Sequence, residues 1–203
     1  LLMTAGLPFS MLAFHRLAAR PGVGRGVVLG LVLAAAGLAC GYYGLFAGLM
    51  VGVAILFYAA MDRLWTSRSY WTSIAVAVVI GGLVAGACFL PYVDVGETHG
   101  SVARTLDEAR MYSADWRAYL ASPARSHRWL LTRIEVWNEV LFPGFLVLGL
   151  AAVGVVTGLR STRETLARTA VTSPAHQDPS RVVALYGLLA LLAAWASFGP
   201  SGG

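Results

Sequence analysis

Three residues that could move protons stand close together in LPYVDVGETHG, residues 90–100. Asp94, Glu97 and His99 fall within six positions on a glycine-flanked stretch, next to Pro91. A carboxylate beside an imidazole can serve as general acid or base. No spacing rule makes this cluster specific, so the three are weak catalytic candidates. The stretch that follows, RTLDEARMYSADWRAYLASPARSHRW (104–129), carries five arginines, several carboxylates and histidine, and aromatic residues. Much of it also has a purely structural reading. Thr105-Leu-Asp-Glu108 fits a capping box. Ser113-Ala-Asp-Trp offers a second N-cap, after which Trp116, Tyr119 and Leu120 fall on one helical face. Ser122-Pro123 can open a third helix, on which Leu130, Ile134 and Trp137 recur at helical spacing. By this reading Glu108 is a cap, and Trp129 and Trp137 are interfacial anchors.

The elements around this polar stretch are apolar. Of 203 residues, 58% are hydrophobic and only 12% charged, and the mean hydropathy is +0.69. Soluble domains carry about 25% charged residues, so the composition implies a membrane protein. All of the positive charge comes from arginine, because the chain has no lysine. No aromatic-basic pattern of a nucleic-acid module accompanies it. Zinc-ligand spacings, phosphate loops and nucleophile elbows are also missing from the sequence, which excludes those motif-defined classes. No cofactor is evident, and a divalent metal stays open.

A spanning helix needs about 20 mostly apolar residues. The sequence predicts an all-α, polytopic membrane fold with spans near 1–14 (incomplete), 26–41, 43–61, 72–91, 140–159 and 182–198, in one transmembrane domain over 1–203. Residues 26–61 hold no ionisable side chain except tyrosines and Cys40. As one straight helix they would measure about 54 Å against a hydrocarbon core of about 30 Å, so a break is placed at CGYYG, 40–44. Cys40 and Cys88 read as small apolar residues inside helices. A disulfide is the alternative, since both fall near the same end of their spans. Both chain ends read as internal to a longer protein.

Arginine placement predicts orientation. Loops 15–25, 62–71 and 160–181 share nine arginines against three acids, and residues 92–139 hold six arginines against seven acids. The two sides carry +6 and −1, for a net charge of +5. The three short loops are therefore expected in the cytoplasm, and 92–139 is expected outside a bacterial inner membrane, as short amphipathic helices along the interface. No Asp, Glu, Arg or His falls in the middle of any predicted span. Ion-coupled transporters usually need such a residue, which disfavours that class.

CGYYGLFAGL, LPYVDV…RTLDEARMYSADWRAYL, NEVLFPGFLVLGLAAVG and WASFGP together resemble a group of large bacterial integral membrane proteins. The group is similar to GT-C-type glycosyltransferases and, in style, to YfhO-type membrane proteins. The resemblance covers nearly the whole chain. It implies many transmembrane helices and transfer of a sugar from a polyprenyl-phosphate carrier at the outer face, for cell-envelope glycans. The class sets its catalytic carboxylate on a first outer loop, expected upstream of Leu1. No residue of this chain matches that motif, so no catalytic residue is carried over. Such a reaction asks for cations at the departing phosphate and aromatic faces for the sugar. Arg104, Arg110 and Arg117, with Tyr112, Trp116 and Tyr119, are the substrate-binding candidates, Arg104 or Arg110 foremost for phosphate. Contact of the same arginines with lipid headgroups competes with this role. The implied partners are membrane lipids and the polyprenyl-phosphate donor. The alternative is a non-enzymatic scaffold or lipid-handling protein with an interfacial outer loop.

Overall fold

The computed structural model describes residues 2–99, 106, 110, 113–121, 129, 141–167 and 179–199, with the side chains of 2–3, 91–99 and 161–167 excepted. Among the described residues the fold is all-helical, with no strand. The α-helices are α1 (Gly6–Ala19), α2 (Val23–Ala39), α3 (Gly41–Met61), α4 (Arg68–His99), α5 (Phe145–Ala167) and α6 (Pro179–Ser197). Three of them are long and apolar enough to cross a membrane: Gly41–Met61, Arg68–Leu90 within α4, and Pro179–Ser197. Val23–Ala39 and Phe145–Arg160 are shorter apolar helices. The 21 residues of α3 extend about 32 Å, close to the thickness of a bilayer core.

Two compact units divide the chain, Leu1–Ser101 and Val102–Gly203. In the first, four helices alternate in direction. A Cβ on Gly6 would meet Ala36, so the start of α1 lies beside the end of α2. The backbone between α2 and α3 turns at Cys40, which is extended (φ −164°, ψ 120°). There Gly37 and Gly44 touch so closely that any side chain at Gly44 would collide with the Gly37 backbone. At its other end α3 returns to α1, where Tyr58 Oη lies 3.3 Å from His15 Nδ1. Helices α2 and α4 run parallel, because Gly26 packs on the Ser73 carbonyl and Gly30 on Ala77 and Gly81. The expected break at 40–44 is thus present, a single residue wide.

Helix–helix contact in this unit combines many small residues with a few large ones, Met11, Phe14, Leu17, Leu29, Tyr58 and Tyr70. The buried set includes Ala34, Ala36, Ala47, Ala54, Ala59 and Ala77. Large apolar residues such as Leu31, Leu45, Leu49, Leu56, Val79 and Leu83 are exposed. Lipid is as apolar as leucine, so burial of leucine gains little there, and small residues let backbones approach. Two buried polar groups are satisfied locally: Ser10 Oγ donates to the Gly6 carbonyl and Ser73 Oγ to the Ser69 carbonyl, both at 2.7 Å.

The connections 20–22 and 62–67 lie at one end of this unit, where Ser69 Oγ stands 3.5 Å from the Pro21 carbonyl oxygen. Arg16, Arg20, Arg25, Arg63 and Arg68 flank them. Arg63 takes a left-handed conformation (φ 53°) to start the tight turn. Trp71 Nε1 donates to the Trp65 carbonyl at 2.9 Å, and the Trp65 and Trp71 rings meet at a tilt of 32°.

Several helix limits differ from the sequence expectation. α1 continues through Arg16, and α2 begins at Val23, so the loop expected over 15–25 shrinks to 20–22. α4 does not stop at Pro91 but continues to His99. Proline removes one N–H and strains one turn, and in long apolar helices neighbouring groups absorb this. The apolar stretch ends at Leu90 although the helix does not. α5 starts at Phe145 rather than near 140, after Pro143 and Gly144, whose φ of +94° suits glycine. α6 opens on Pro179, a favoured first helical residue. Cys40 and Cys88 are both free thiols.

Candidate functional site

In the second unit, Ser113–Ala121 meets the end of α6 and residues 141–142, just before α5. The Ala114 N–H donates to the Ser197 carbonyl (2.9 Å), and the Leu141 and Phe142 N–H groups donate to the carbonyls of Ala118 (2.9 Å) and Ala121 (3.1 Å). The hydroxyls of Tyr119 and Ser197 are 2.7 Å apart, and the Tyr119 ring rests on Phe198 at 6.2 Å. A side chain at Gly199 would strike Ser113. The segment is therefore pinned at several points, and its own conformation is a five-residue 3-10 helix, Trp116–Leu120.

This corrects the amphipathic α-helix expected after a Ser113 cap. The helix begins after Asp115, with no side-chain cap bond. The residues of Ser113–Ala121 that bury are Ala118 in the helix and Ala114 and Ala121 beside it, rather than the stripe of Trp116, Tyr119 and Leu120. Alanine wins because backbone–backbone bonds at 118 and 121 demand close approach. Trp116 is left 60% exposed. The Arg117 guanidinium carbon lies 5.6 Å from the centre of the Trp116 ring, within cation–π range. Arg117 Nε is also 4.0 Å from Asp115 Oδ2, with both side chains more than half exposed. Solvent reduces such a pair to a small contribution, so Arg117 remains available to an anion. Nearby, Trp129 and Phe145 rings stack almost parallel, and Phe142 meets Phe145 edge-on at 5.0 Å.

The other candidates distribute as follows. Asp94, Glu97 and His99 stand on helical backbone in the last turns of α4, not on a loop, and their side chains lie outside the described residues. Arg104 and Tyr112 lie outside the described residues, as do the capping box at 105–108 apart from Leu106 and the helix expected from Ser122 apart from Trp129. Arg110 is exposed, and its carbonyl accepts from the Ser113 N–H at 3.2 Å. The structure thus brings Trp116, Arg117 and Tyr119 together in one short turn. Ser197, which holds that turn, was not legible as a partner, since a lone serine at a helix end carries no signal. Among the described residues no group of three His, Cys, Asp or Glu side chains converges.

The first unit holds an apolar groove of about 470 Å³ between α2, α3 and α4. Its walls include the small residues Ala34, Gly37, Gly44, Gly81 and Ala85, with Leu33, Leu45, Val78 and Phe89 beside them. Comparison of the chain with protein-family models, with curated proteins and with solved structures finds no match.

Proposed function

We propose that this chain is a six-span protein of the bacterial inner membrane, acting as a GT-C-like glycosyltransferase on cell-envelope glycans at the outer face. Three membrane-length apolar helices support the membrane setting. The observation that carries the transferase reading is the exposed Arg117–Trp116 pair on a turn anchored to the end of α6 and to residues 141–142. In the proposed reaction an acceptor hydroxyl loses its proton to a base and attacks the anomeric carbon of the donor sugar. The bond from that carbon to the phosphate oxygen breaks, and polyprenyl phosphate leaves with the electron pair. Arg117, with Arg104 and Arg110, neutralises the departing phosphate through charge-assisted bonds. Trp116 offers a face to the sugar, alongside Tyr112. Tyr119 contributes its ring, since its hydroxyl faces Ser197. Asp94, Glu97 and His99 are the candidates for the base.

Purified full-length protein is expected to move radiolabelled sugar from a polyprenyl-phosphate donor. Trp116→Ala or Arg117→Ala lowers the rate about 10- to 100-fold, the worth of one charged or stacked contact, and Arg104→Ala and Arg110→Ala lower it likewise. Transfer that is unaffected by all four substitutions overturns the assignment. A second reading, a non-enzymatic scaffold or lipid-handling protein, is favoured by the way Ser113–Ala121 is stapled to α6 as a platform. Lipid binding with no transfer from any donor would select it.

A further inference from the structure

We propose that the groove between α1 and α2 in the first unit binds an anionic phospholipid, its phosphate at Arg16 and Arg25 and an acyl chain along the apolar walls. The groove has a volume of about 340 Å³, within the range of ligand sites. One wall is Phe9, Leu12, Ala13 and Arg16, at i, i+3, i+4 and i+7 of α1; the other is Arg25, Val28 and Val32, at i, i+3 and i+7 of α2. The two helices are antiparallel, so both arginines stand at the same end, beside the turn at 20–22, and the apolar residues lead away from it. From Arg16 to Phe9 is seven residues, about 10 Å of helix. Phe9 is 59% and Leu12 44% exposed, and among the described residues no carboxylate lines the groove.

Charge complementarity selects the occupant. Arg25 stands in the first turn of α2, which has no acidic residue and no side-chain cap bond. A helix start of that kind favours an anion and disfavours a lone cation, so an anion between Arg16 and Arg25 would relieve the mismatch. The Arg25 Nη1 donates to the Arg20 carbonyl, which holds the guanidinium at the groove end with its remaining N–H groups free to bond phosphate. The apolar walls exclude a free phosphate ion as the whole ligand, because such an ion leaves them uncovered. The groove lies in Leu1–Ser101, whereas the transferase reading rests on Ser113–Ala121, so either can fail alone.

The purified chain in neutral detergent, titrated with phosphatidylglycerol and with phosphatidylcholine of the same acyl chains, tests this by native mass spectrometry. Phosphatidylglycerol is expected to bind at least tenfold tighter. Arg16→Gln with Arg25→Gln removes that preference, a loss of roughly thirtyfold for two arginines. Arg63→Gln with Arg68→Gln, at the same end but outside the groove, keeps it. Leu12→Trp, which fills the groove, weakens both lipids alike, and circular dichroism checks that each variant keeps its helix content. Equal binding of the two lipids by the unaltered chain overturns the proposal. So does a preference that survives Arg16→Gln with Arg25→Gln, or full displacement of the lipid by inorganic phosphate or by a second copy of the chain.

Discussion

Tyr70 shows how much one hydroxyl can hold in a bundle of small residues. Its side chain is fully buried, and its Oη donates to the Ile55 carbonyl of α3 at 3.0 Å, tying the start of α4 to α3. Tyr70→Phe removes one hydrogen bond and is expected to cost about 1 kcal/mol. Tyr70→Ala also opens a cavity and is expected to cost about 3–5 kcal/mol. Denaturant titration of the detergent-solubilised protein reads both, and equal losses would mean that the ring does nothing beyond its hydroxyl. In the second unit Tyr119 plays the comparable part against Ser197. Tyr119→Phe is expected to speed amide exchange at Ala114, whose N–H reaches Ser197, by about fivefold for a bond worth about 1 kcal/mol. Exchange at Leu31, in the other unit, is expected to stay unchanged.

At the scale of elements, the parallel pair α2–α4 depends on Gly26 and Gly30. A Cβ at Gly30 would lie 2.6 Å from the Ala77 carbonyl oxygen and 3.0 Å from the Ile80 Cβ. By helix propensity alone Gly→Ala gains about 1 kcal/mol. Gly30→Ala is nevertheless expected to destabilise the protein by about 1–3 kcal/mol, because the two backbones must part. Gly52→Ala, with open space around it, is expected to be neutral or stabilising. Thermal unfolding of the two variants checks the contrast, and the same shift in both would remove the packing argument. The length of the apolar runs and the break at Cys40 were legible because a bilayer sets a length and glycines permit a turn. The faces were not. Hydrophobicity cannot distinguish lipid from protein, so the periodicity of Trp116, Tyr119 and Leu120 marked a face for lipid or bundle alike, and it was Ala114, Ala118 and Ala121 that took the protein contact. Pro91 misled in the same way: local chemistry marks it as a stop, but α4 continues through it. Of the candidate site, the cluster of Trp116, Arg117 and Tyr119 was visible in the sequence, whereas its anchor on α6 required two segments far apart in the chain to meet.

For the whole molecule, the arrangement of charge is the property to test. Within the first unit, alternation of four helices brings Arg16, Arg20, Arg25, Arg63 and Arg68 to one end, and the break at Cys40 is what makes this possible. Had 26–61 been one helix, the two basic connections would fall at opposite ends. Positive charge near short loops resists translocation, so this end is expected to face the cytoplasm, together with 160–181, and 92–139 is expected to face outward. The free thiols Cys40 and Cys88 must first be replaced by alanine. A single cysteine is then placed at Ser113, at Arg20 or at Ser173, and cells are treated with a membrane-impermeant maleimide. Ser113→Cys, half-buried in its turn, is expected to label in intact cells, whereas Arg20→Cys and Ser173→Cys label only after permeabilisation. Opposite labelling at all three sites would invert the orientation and remove the outer-face transferase reading. It would leave the lipid groove standing on the other leaflet, because that groove depends on Arg16 and Arg25 meeting and not on which side they meet. Labelling of Arg20→Cys and Ser113→Cys together in intact cells would instead mean that the number of crossings between them is even, and six spans would have to be abandoned.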